Sequence, residues 1–125
     1  MEKTISIDGT DYKFKATAAT PYVYRQAFER DIYSDITDIL AGIGSGEDIP
    51  IPALSAFERV AYTLNSQAEG REVKRESVEK DMIEWLDQFE TFSIYKIFPQ
   101  IMDLWKSNTK QTSVPKNQVA QPTDQ

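Results

Sequence analysis

Asp31, Asp35 and Asp38 stand at i, i+4 and i+7, a spacing that on a helix gathers three carboxylates roughly on one face. Hard cations take oxygen ligands of this kind, and neighbouring carboxylates also serve acid–base chemistry. Asp81, Glu84 and Asp87 form a second acidic set. Neither set comes with ligand-loop geometry or a second carboxylate pair, and acidic helix faces are ordinarily solvated, so no metal ligand is assigned to either. Gly42, Gly44 and Gly46 make a glycine-rich stretch, but no Gly-Lys-Ser/Thr follows and the strand–helix context of a dinucleotide site is missing, so no phosphate or cofactor is expected there. The chain has no histidine and no cysteine. Without them the commonest base near neutral pH, the commonest metal ligand and any thiolate nucleophile are all missing. No catalytic residue, metal or cofactor is expected, and the class is non-enzymatic.

Surface chemistry remains. From Glu84 to Trp105 the chain reads EWLDQFETFSIYKIFPQIMDLW, holding both tryptophans together with Phe89, Phe92, Tyr95 and Phe98. So many large rings exceed what a small domain needs inside, and the surplus marks a surface for a partner or for self-association. For each ring taken singly, core packing is the competing reading. The candidate partner-binding residues are Phe89, Phe92, Tyr95, Phe98 and Trp105, with Tyr22 and Tyr24 added because they stand at the start of the first expected helix.

The elements that must carry these rings can be read from periodicity and punctuation. TISIDGTDYKFKA, residues 4–16, alternates around Asp8-Gly9 and predicts a β-hairpin. A lone hairpin is marginal in water, so one face must lie on helices or an edge must pair with another copy. Thr20-Pro21 starts a helix expected to run to about Leu40 on the stripe Tyr24, Phe28, Ile32, Ile36, Ile39 and Leu40. GIGSGEDIPIP, residues 42–52, reads as a loop, and a second helix follows from about Ala53 to Ala68 with Gly70 as its stop. A third helix from about Ser77 carries Val78, Met82, Trp85, Leu86 and Phe89. Thr91-Phe92-Ser93 interrupts it, and a fourth, capped by Ser93, carries Ile94, Ile97, Phe98, Ile101, Leu104 and Trp105. Pro99 must kink that helix or shift its start, and the last two helices should form a helical hairpin. After Ser107 little is left to bury, and a disordered tail is expected.

The fold expected is therefore mainly α: a four-helix domain with an N-terminal β-hairpin over residues 1–106 and a disordered polar tail over 107–125. At 125 residues this is one domain's worth of chain. A net charge of −6 argues against nucleic acid as a partner. No apolar run approaches the roughly 18 residues that span a bilayer, and the opening MEKTISID lacks a signal-like apolar stretch, so neither a membrane partner nor export is expected.

With these segments in hand, the chain resembles the tail assembly chaperones of long-tailed phages and prophages of Gram-positive bacteria. The likeness lies in IDGTDYKFKATAATPYVYRQAFERDIYSDI and in EWLDQFETFSIYKIFPQIMDLW followed by a polar Thr/Ser/Lys/Gln tail, and it covers nearly all of the expected domain. The resemblance implies a non-enzymatic helper that binds the tape measure protein while tail tube subunits polymerise, with the tail tube protein as a further partner. It also implies residence in the host bacterial cytoplasm, absence from the mature virion, and the shorter of two products related by frameshifting. The family has no catalytic motif to carry across. Rival readings are a virion tail-completion or adaptor protein and a small acidic inhibitor of a host protein.

Overall fold

Asp8 and Gly9 both have positive φ, 54° and 83°, which gives the two-residue turn whose twist matches paired antiparallel strands. The turn joins β1 (Glu2–Ile7) to β2 (Thr10–Lys15), with Ile7 opposite Thr10 and Ile5 opposite Tyr12. Because side chains alternate across a strand, this register puts Ile5, Ile7 and Phe14 on one face, and all three are buried. The computed structural model describes residues 1–44 and 49–113, and after the hairpin these run as α1 (Thr20–Phe28), α2 (Ile32–Gly44), α3 (Ile51–Glu69), α4 (Val78–Leu86), a 3₁₀ turn (Ser93–Ile97) and α5 (Phe98–Ser113). The protein is mainly helical with an N-terminal hairpin, as expected.

Helix α3 is the spine. It packs against β2, α1, α2 and α4. Ala56, Phe57, Val60, Ala61 and Leu64 are buried along it, and Gly70 ends it at φ 75°. Asn65 fastens the hairpin and α4 to this spine. Its Nδ2 donates to the Lys13 carbonyl at 2.8 Å, while its Oδ1 accepts from Trp85 Nε1 at 2.9 Å and from Arg71.

Five expectations need correction. The helix expected from Thr20 to Leu40 is two helices, broken at Glu29, which takes a left-handed conformation (φ 56°) and donates its N–H to the Arg25 carbonyl. Asp31 then caps α2, its Oδ1 accepting the Tyr33 N–H at 3.1 Å. The loop expected from Gly42 begins later. Gly42 lies inside α2, so close to α3 that a Cβ there would sit 2.6 Å from Ala53 Cβ; residues 45–48 of that expected loop lie outside the described residues. Ser93 does not cap a helix. Its hydroxyl donates to Asp8, which also accepts the Glu90 N–H at 3.0 Å, and Pro99 falls in the first turn of a helix whose start has moved to Phe98. The Ser93 hydroxyl, and after it the Glu90 N–H, hold the Asp8 carboxyl below its ordinary range. With this turn tied to the hairpin, α5 packs on β1 while α4 packs on α3, and the two do not form the expected helical hairpin. Finally, α5 runs on to Ser113 where disorder was expected from about 107; the remainder of that expected tail, 114–125, lies outside the described residues.

The break between α1 and α2 has a physical cause in Asp35. Its carboxylate is fully buried and accepts from Arg30 Nη2 at 2.7 Å, from Arg59 Nη2 at 3.1 Å and from the buried Tyr24 hydroxyl. On one straight helix Tyr24 and Asp35 would be about 16 Å apart along the axis, and Arg30 and Asp35, five residues apart, would face different ways. Folding the chain back at Glu29 brings all of them together. Burial opposes ionisation of Asp35, but the bonds from Arg30, Tyr24 and Arg59 outweigh it and hold the carboxyl below its ordinary range. A depressed native pKa stabilises fully above the unfolded value, near pH 4, and that stabilisation is lost as the pH falls through the native value. Asp35→Asn is therefore expected to cost about 3–5 kcal/mol near neutral pH by leaving two arginines uncompensated. Urea titration measures that loss, and repeating it at falling pH should show a shallower acid-induced decline than in the parent chain.

Candidate functional site

The expected partner-binding rings divide into three groups by burial. Tyr24 and Trp105 are core residues, 0% and 5% exposed, so neither is available to a partner. Tyr24 belongs to the inward stripe of α1, with its hydroxyl committed to Asp35, and burial beside that carboxylate pushes the phenol well above its ordinary range. Trp105 is covered by Tyr33 of α2, edge-on at 5.6 Å between ring centroids. Phe89, Tyr95 and Phe98 are half-buried. Phe89 stacks edge-on against Trp85 at 5.0 Å and Tyr12 at 5.2 Å, and Phe57 lies 6.2 Å from Tyr95 and 5.8 Å from Phe98. Tyr95 and Phe98 border an apolar cavity of about 20 Å³ with Ile39, Ala53 and Leu54. A space that small holds at most about one water, so these rings seal the core and do not line a groove. Phe92 and Tyr22, 70% and 58% exposed, are the members of the set fully open to solvent.

The acidic sets do not gather into a ligand site. Asp31 caps α2, Asp35 is consumed by its arginines and Asp38 is an exposed surface residue. Among the described residues no group of three or more acidic side chains is arranged to hold a metal ion.

A much larger concavity lies elsewhere. A groove of about 840 Å³ runs between α4 and the end of α1, floored by α3. Phe28, Val78, Met82, Ile83 and Leu86 supply its apolar surface. Helix geometry explains why α4 contributes so much. At about 100° per residue, Val78 and Trp85 point almost the same way, Met82 and Leu86 are rotated by about 40° and 80° from Val78, and Ile83 by about 140°. Burial follows that rotation: Val78 and Trp85 are in the core, Met82 and Leu86 are half-buried, and Ile83 is 61% exposed. The apolar arc of α4 is wider than its contact with the core, and the excess faces the groove. On the α3 side Glu58 lines the groove and accepts the Tyr95 hydroxyl; burial, and then this carboxylate, push the Tyr95 phenol up to about 12.

Sequence reasoning missed this groove because its walls come from helices far apart in the chain. The width of the Val78–Leu86 apolar arc was the signal that pointed to it. No protein-family model matches the chain, and no curated protein or solved structure matches it.

The division of rings is testable by stability. Trp105→Ala is expected to lose about 3–5 kcal/mol in urea unfolding, as for a large aromatic removed from a packed core. Phe92→Ser should remain within about 0.5 kcal/mol of the parent, because its ring is mostly in water already.

Proposed function

We propose that the protein is a tail assembly chaperone of a long-tailed phage or prophage, holding helical segments of the tape measure protein until tail tube subunits enclose it. The observation that carries this reading is the open groove between α4 and the α1–α3 layer, whose apolar surface comes from α4 and Phe28 and could take the apolar face of a helix. The resemblance of the hairpin-to-α2 segment and of Glu84–Trp105 to that chaperone family names the client. Of the carboxylates that a catalytic reading would use, Asp31 is engaged in capping and Asp35 in the core, and a net charge of −6 favours solubility of a complex with an aggregation-prone client. The working compartment in this reading is the cytoplasm of the bacterial host, and the chaperone leaves before the virion is complete.

Co-expression provides the test. A tape measure protein encoded beside this chain should be recovered in the soluble fraction as a complex when the two are made together, and should aggregate when made alone. Purified particles should lack the chain. Its presence at stoichiometric level in particles would replace the chaperone reading with that of a tail adaptor, and failure to change the solubility of the tape measure protein would remove it.

A further inference from the structure

We infer that the groove between α4 and the α1–α3 layer takes an amphipathic helix whose apolar stripe is flanked by lysine and arginine. This inference deepens the chaperone reading and relies on it for the name of the client, but not for the chemistry of the groove.

The apolar half of the inference rests on Ile83 and its neighbours. An isoleucine 61% exposed beside half-buried Met82, Leu86 and Phe28 offers a continuous stripe, and methionine adapts its shape to different aliphatic partners. Helix α4 has nine residues, about 13 Å of axis, so two to three turns of a partner helix fit along it.

The sign of the flanking charge follows from the ionised groups lining the groove taken together with Asp35 and Glu84, the carboxylates outside it that three of its cations contact. Each cation there touches a carboxylate, Arg30 and Arg59 sharing one. Arg75 Nη1 lies 2.7 Å from Glu29, Arg30 and Arg59 both hold Asp35, and Lys80 lies 3.9 Å from Glu84. Glu58, Glu76 and Glu79 also line the groove, and none of them has an ion pair among the described residues. Glu58 is engaged by the Tyr95 hydroxyl, which brings no positive charge to it. Six carboxylates (Glu29, Asp35, Glu58, Glu76, Glu79, Glu84) face four cations (Arg30, Arg59, Arg75, Lys80), so the excess charge is negative, and a helix bringing lysine or arginine beside its apolar stripe pairs with it. A second copy of this chain is a poorer occupant, because each copy carries a net charge of −6.

Two synthetic helical peptides with the same leucine stripe, one flanked by lysines and the other by glutamates, provide the probe. In fluorescence anisotropy against the full chain, the lysine-flanked peptide should bind at least about tenfold more tightly, as expected from two or three exposed charge pairs, and that margin should shrink with added salt. Ile83→Ser should weaken both peptides while leaving the helical circular dichroism spectrum unchanged, and Glu76→Lys with Glu79→Lys should abolish the preference for lysine. Equal binding of the two peptides, binding of neither, or binding indifferent to Ile83→Ser would overturn the inference. So would a dimer in sedimentation that Ile83→Ser dissociates, because the occupant would then be a second copy. Lysine-peptide binding without rescue of the tape measure protein would refute the chaperone reading and leave the groove's chemistry standing. Rescue that Ile83→Ser leaves unchanged would do the reverse.

Discussion

A buried carboxylate with three partners sets the course of the chain. Asp35 has no exposure, and an ion removed from water costs several kcal/mol unless its lone pairs are filled. Arg30, Arg59 and Tyr24 fill them, and they come from three places: the α1–α2 connection, α3 and α1. That convergence cannot be met by one continuous helix, so the chain accepts a left-handed non-glycine residue at Glu29 and starts again at Asp31. The groove depends on the same break. Because α1 stops at Phe28, that ring and the guanidinium groups after it are left beside α4, where a longer α1 would have carried the chain onward.

Asn65 plays the corresponding part on the other side of α3. At 2% exposed, it spends its amide on a strand carbonyl and its oxygen on an indole and a guanidinium, and so ties β2 and α4 to α3 by polar bonds inside the core. Buried polar groups of this kind are costly when half-satisfied, which makes them positional devices: the hairpin and α4 have one seating on α3 in which Asn65 is satisfied. Trp85 then sits in the core with its indole N–H bound, and the rest of the α4 arc is turned outward.

The elements legible in the sequence are those written in local code. Asp8-Gly9 set the hairpin and its register, Gly70 ended α3, and Pro99 required either a kink in the last helix or a shift of its start, of which the structure takes the shift, to Phe98. The break at Glu29 was hidden because Phe28 and Ile32 continue the i, i+4 stripe across it, so the apolar pattern is the same for one helix or two. Asp35 and Arg59 look like members of a solvated face until the tertiary fold closes over them. The rings illustrate the same limit. Tyr22 and Tyr24 are two residues apart on α1 and therefore point in different directions, one into water and one into the core, yet composition treats them alike.

Helix α4 joins the packing to the proposed function. Nine residues are fewer than an isolated helix needs in water, and no side-chain hydrogen bond caps its first turn. Its order therefore comes from the tertiary anchors Val78 and Trp85, both on one edge of its apolar arc. A helix pinned along one edge with its remaining apolar width unspent belongs to the low-stability end of a structure, where binding surfaces are commonly found. Covering Met82, Ile83 and Leu86 would remove that deficit. Glu79 stands in the first turn, where a carboxylate is favoured by the helix dipole without an ion-pair partner. The same dipole thus sustains an unpaired carboxylate at the edge of the groove. An apolar arc wider than the core can use and one of the groove's unpaired carboxylates, Glu79, belong to the same short helix.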